Sequence, residues 1–91
     1  MSSRKIWIGG ERWTIRVCPV PSSIYGDCDY QKKTIRVSQK LHGEARLNVI
    51  LHELIHARWP DLSEEAVEEF ADELAGIVYA HGFSHKDEEG E

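Results

Sequence analysis

Two histidines four residues apart, His52 and His56, with the acid Glu53 between them, are the residues of this chain best suited to chemistry. On a helix, residues four apart project about 40° from one another, one turn along, so both imidazoles can reach one point. A divalent metal fits there. Glu53 points about 100° away from His52 and so borders the same cleft without joining the pair, the place for a base that activates water beside the metal. His-Glu-x-x-His on a helix is the two-ligand, one-base arrangement of zinc-dependent peptide hydrolysis.

The element that must carry this motif reads as a helix from about Gly43 to Trp59, ended by Pro60. Leu47, Ile50, Leu51 and Leu54 form one apolar stripe, and Ala45, Val49, His52 and His56 form another on the opposite side. A helix apolar on two sides is a central one, placed here between a sheet and a second helix. That second helix starts after Asp61-Leu62-Ser63, with Asp61 or Ser63 as N-cap, and runs to about Ala80, where Gly82 provides a stop after His81. Val67, Phe70, Ala71, Leu74 and Val78 make its apolar stripe, and the short connection forces an antiparallel helical hairpin.

Two histidines leave a catalytic zinc site one protein ligand short. The second helix offers Glu64, Glu65, Glu68, Glu69 and Asp72. Measured around the helix axis from its apolar stripe, Glu64 lies nearest the first helix and Glu68 next, one turn along. Glu64 is therefore expected as the third ligand. Glu68 is expected as a partner for a histidine N–H or as the alternative ligand. Glu65, Glu69 and Glu73 belong to the solvated face. Tyr25, Tyr30, His42 and Tyr79 are candidates to stabilise an oxyanion, each with a plainer packing or surface role. His81 and His85 are also four apart, but Gly82 and Ser84 between them argue for a capping and a tail histidine.

The N-terminal part reads as strands. Lys5–Ile8 and Arg12–Val17 flank Gly9-Gly10-Glu11 as a β-hairpin, and Trp13, Ile15 and Val17 alternate with polar residues as one buried face requires. Pro19 and Pro21 impose an extended connection, Ile24–Cys28 suits a short strand, and Thr34–Ser38 is a clearer one. At a sheet edge this last strand would hold an extended peptide; as an internal strand it would not. Trp7, Trp13 and Trp59 are expected in the core or in hairpin pairs, with Trp59 close enough to His56 to border the cleft. The fold class that follows is α+β: a three- to four-stranded sheet packed on an antiparallel two-helix hairpin.

With 91 residues, 41% apolar and 30% charged, the chain has room for one domain and one modest core. We expect residues 1–83 to form that domain and residues 84–91 a disordered acidic tail. The net charge of −5 hides an asymmetry. Residues 1–60 carry ten Lys/Arg against five Asp/Glu, and residues 61–91 carry one Lys against eleven acids. Internal complementarity, with basic strands facing an acidic helix, explains this in preference to a nucleic-acid partner. Cys18 and Cys28 lack metal-site spacing and read as free, partly buried thiols. Neither a signal sequence nor an apolar span is legible, so a cytoplasmic monomer without membrane contact is expected.

Ile50-Leu51-His52-Glu53-Leu54-Ile55-His56-Ala57, followed by Glu64-Glu65-Ala66-Val67-Glu68-Glu69-Phe70-Ala71-Asp72-Glu73-Leu74, resembles the ImmA/IrrE-type metallopeptidases and the short phage-encoded peptidases close to them. Asp27–Ser38 resembles the strand pair that precedes the helices in that family, so the resemblance spans about residues 24–80. It implies a minimal gluzincin-like core with one zinc ion, held by His52, His56 and Glu64, with Glu53 as general base. The link between the two helices is much shorter than in that family. The expected activity is hydrolysis of a peptide bond in a protein or peptide substrate. A non-catalytic module stabilised by zinc is the alternative, and a pair of satisfied core histidines without metal is a third reading; the His/His/Glu set beside a base favours catalysis over a closed, cysteine-rich structural site.

Overall fold

A computed structural model describes residues 2–82 and shows an α+β architecture of four strands followed by two helices. The strands are β1 (Ser2–Ile8), β2 (Glu11–Cys18), β3 (Gly26–Asp29) and β4 (Thr34–Ser38), and the helices are α1 (Gly43–Arg58) and α2 (Glu64–Ala80). The acidic tail expected over residues 84–91, with His85, lies outside the described residues.

β1 and β2 are joined by a two-residue turn at Gly9 and Gly10, whose φ values of +57° and +85° match the primed turns that suit strand twist. Glu11, placed in the loop by the sequence, instead pairs with Ile8 as the first rung of the ladder. The sheet order is β1-β2-β4-β3, with β2 and β4 parallel and the other two pairs antiparallel. β4 is thus internal. The edge nearest the helices is β3, which starts at Gly26 rather than at Ile24, so the free strand edge belongs to the segment the sequence marked less clearly.

Alternation puts Trp13, Ile15, Ile35 and Val37 on the face toward α1, with Ile35 and Val37 fully buried. Val49, Ile50, Leu54 and Ala57 of α1 pack on that face, and Leu51 and Ile55 turn the other way to meet Val67 and Ala71 of α2. The central placement expected of α1 holds, although Leu51 and Val49 each join the side opposite to their expected stripe. At Gly26, an added Cβ would lie 2.7 Å from the Arg36 carbonyl oxygen and 2.9 Å from Val49 Cγ1, so only glycine lets β3 approach α1 this closely.

α1 ends at Arg58, where the Trp59 amide still bonds to the Ile55 carbonyl and Pro60 follows. Ser63 caps α2, its hydroxyl accepting from the Ala66 amide at 3.1 Å. His81 and Gly82, at φ +85°, close the other end. One expectation for α2 fails: Phe70 is 46% exposed, and the buried stripe is Val67, Ala71 and Ala75. Phe70 lies about 100° around the helix from the centre of that stripe, off the face that meets α1. Trp13 is in the core, whereas Trp7 and Trp59 are exposed. Both cysteines are free thiols, Cys18 buried and Cys28 half-buried. Among the described residues no helix is long and apolar enough to cross a membrane.

Candidate metal centre

The four-residue spacing on α1 brings the rings of His52 and His56 to 4.8 Å between centroids. The tight turn after Trp59, where the Leu62 amide bonds to the Trp59 carbonyl at 3.1 Å, returns the chain so that Glu64 is the first residue of α2. His52 Nε2 lies 3.1 Å from Glu64 Oε2 and His56 Nε2 lies 2.9 Å from Glu64 Oε1. A negative side chain at a helix N-terminus is also favoured by the helix dipole. The three ligating groups lie within 4.8 Å of one another.

This donor set could hold a divalent metal such as zinc: two imidazole nitrogens and one carboxylate, with side chains 18%, 20% and 68% exposed. The sequence placed Glu64 nearest to α1 and the structure puts it in contact with both histidines. The corrected stripe of Val67, Ala71 and Ala75 turns α2 further toward that geometry. Glu68 lines the same cleft and makes no hydrogen bond to either imidazole among the described residues. Glu65, Glu69 and Glu73 are exposed, as expected of a solvated face.

Glu53 is 8% exposed, held where α1 crosses β3. Burial raises its pKa, and the nearby His52 and His56 pull it partly back down. Among the described residues no group hydrogen-bonds its carboxyl, and every fully buried polar side-chain atom is satisfied. Its oxygens therefore open onto the cleft, which has a volume of about 390 Å³ and is also lined by Tyr25, Gly26, Asn48 and Asp72. A carboxylate made more basic by burial, beside a site for a cation but outside the ligand set, is suited to taking a proton from water.

The surroundings contain residues that sequence reasoning missed. Asn48 Nδ2 donates to Asp72 Oδ1 at 2.6 Å, which engages Asp72 away from the histidines and ties α1 to α2 one turn before the motif. Asn48 lies four residues before His52, on the same helix face, which was the available signal. Cys28 stands behind Glu53, and its thiol is pushed up to about 11, chiefly by burial and next by the Glu53 charge. Of the oxyanion candidates, the Tyr30 hydroxyl is committed to the His56 carbonyl at 2.9 Å, which ties the β3–β4 turn to the end of α1. Burial raises the Tyr30 pKa as well. Tyr25 borders the cleft, and His42 and Tyr79 do not. Trp59 lines a different groove of about 330 Å³, with Trp7, Ile8, Leu54 and Arg58.

Comparison with protein-family models, with curated proteins and with solved structures found no match to this chain.

Proposed function

We propose that the protein is a zinc-dependent peptidase that hydrolyses a peptide bond in a protein partner, with Glu53 as general base. The observation that carries this reading is the convergence of His52 Nε2, His56 Nε2 and the Glu64 carboxylate beside a buried acid that is not part of the cluster. When bound there, zinc supplies a Lewis acid for the substrate carbonyl and makes water acidic enough to ionise near neutral pH. Glu53 accepts the proton that water loses and passes it to the departing amine. Cys28 and the wall of β3 keep bulk water from its inner side, which favours proton uptake. Glu68 stays in the cleft wall, and Tyr25 is the side chain placed to donate to an oxyanion. The resemblance of α1 and α2 to ImmA/IrrE-type metallopeptidases supports the same reading, with a gluzincin-like donor set.

An extended substrate has a place to lie. β3 is an edge strand whose outer backbone groups are unpaired by the sheet, and Gly26 at its start forms part of the cleft wall. Main-chain pairing along β3 brings a substrate carbonyl past the His/His/Glu cluster without requiring a deep specificity pocket, in keeping with so small a chain.

Protein purified without chelator or affinity tag should contain one zinc per chain. Incubation with a complex peptide mixture, read by mass spectrometry, should show new termini. Glu53→Gln should retain metal and fold while cleavage falls by at least about a hundredfold. Equal cleavage by Glu53→Gln would remove the peptidase assignment while leaving the metal centre standing.

A further inference from the structure

The face of the sheet turned away from the helices presents an ordered array of side chains that the metal centre does not use. Cross-strand partners share a face, so the register gives three rows on the outer surface. Trp7 stands beside Arg12; Lys5 follows with Thr14, Thr34 and Asp29; Ser3 follows with Arg16, Arg36 and Asp27. The acids are confined to the edge strand β3 and both are engaged. Asp27 accepts from Arg36 Nε at 2.8 Å and from Arg36 Nη2, and Asp29 Oδ1 accepts from the Gln31 and Lys32 amides.

The β1–β2 half of this face is different. It carries Lys5, Arg12 and Arg16, all exposed, and at the Arg12 end Trp7, which is 68% exposed. Arg12 holds its guanidinium 5.4 Å from the Trp7 ring centroid, and Lys5 donates to the Thr14 hydroxyl. Arg16 has no ion-pair partner among the described residues. The acidic helix does not neutralise these charges: α2 packs on α1, and among the described residues no ion pair joins α2 to the sheet. Among the described residues the basic strands thus have no direct ion-pair partner in α2, and the rest of the acidic part, residues 84–91, lies outside them.

We propose that this outer sheet face binds single-stranded nucleic acid, with Lys5, Arg12 and Arg16 on the phosphates and Trp7 as a stacking platform for a base. Arg12 and Arg16 lie four residues apart on β2, about 13.6 Å, and Lys5 sits beside Thr14 between them on β1, so a single strand running along β1 and β2 passes the three cations in turn with Trp7 at one end. A flat, open sheet has no helix or ribbon projecting into a duplex groove, but it suits unstacked bases and a flexible backbone. The exposed tryptophan distinguishes this partner from an acidic protein segment, because every base offers a π-face.

The test uses the zinc-loaded protein and a fluorescein-labelled fifteen-nucleotide oligothymidylate, read by anisotropy across a salt series. Binding should weaken linearly on logarithmic axes with a slope near −0.7 per phosphate contacted. Arg12→Ala and Arg16→Ala should each reduce that slope by about one contact. Trp7→Ala should weaken binding roughly five- to hundredfold with little change in slope. Circular dichroism confirms the fold of each variant, and Glu53→Gln should bind as the parent does. Absence of binding at about 50 mM salt, tighter binding of a duplex, displacement by polyglutamate at equal charge, or unchanged binding in Trp7→Ala would each overturn the proposal.

Discussion

The two sides of α1 are built differently. Toward the sheet, bulky residues interlock: Ile8, Trp13, Ile35 and Val37 receive Val49, Ile50, Leu54 and Ala57. Toward α2 the packing partners are smaller, with Leu51 and Ile55 resting on Val67, Ala71 and the nearby Ala75. Small side chains let α2 come close enough for Glu64 to reach both histidines. The sheet and α1 form a platform held by packing, whereas α2 combines a smaller apolar contact with polar ties to α1, the Asn48–Asp72 bond at its middle and the Glu64 contacts at its start. A metal shared by the two helices would strengthen the α2 side.

The largest effect should come from the bulky side. Ile35→Ala removes a fully buried side chain and should cost about 2–5 kcal/mol in denaturant unfolding, lowering protection of sheet and helices together. Zinc should act on the α2 side. At a hundredfold excess over its dissociation constant it should add about 2.7 kcal/mol of stability, and chelation should raise hydrogen exchange in α2 while the β2 and β4 amides stay protected. Ala71→Leu overfills the helix interface and should cost about 1–3 kcal/mol, with the loss of protection confined to α2. A uniform loss across all elements in that variant would contradict the division into platform and appended helix.

The smallest effect concerns acid. Hydrogen bonding to Arg36 holds the Asp27 carboxyl below its ordinary value of 3.8. Its contribution is present above pH 3.8 and is lost as pH falls further toward the folded-state value. Both side chains are 39% exposed, so solvent screening keeps the contribution below about 1 kcal/mol. Asp27→Asn should reduce the acid sensitivity of unfolding by no more than that, with α2 exchange unchanged.

Much of the site could be read from local pattern. The His-Glu-x-x-His spacing, Pro60, the Ser63 cap and Gly82 all act within a turn or two of themselves, so sequence neighbours determine them. Features set by distant partners were not legible. The placement of β4 between β2 and β3 depends on which strands meet, which alternation within Thr34–Ser38 does not encode. Phe70 has an apolar residue's claim to the stripe of α2, yet the face that meets α1 is centred on Val67, Ala71 and Ala75, and Phe70 falls outside it. Glu53 read as a polar edge of α1; its burial comes from β3, drawn in by Gly26. The charge asymmetry was visible, but its direction in space required the strand register.

The central claim is that α1 and α2 together form one metal site. Zinc affinity by competition with a chromophoric chelator, compared among the parent, Glu64→Ala and Glu68→Ala, tests it most directly. One zinc per chain should bind to the parent, Glu64→Ala should lose more than about a hundredfold in affinity, and Glu68→Ala should lose less than about tenfold. Absence of stoichiometric zinc in the parent, or retention of full affinity by Glu64→Ala, would contradict the account.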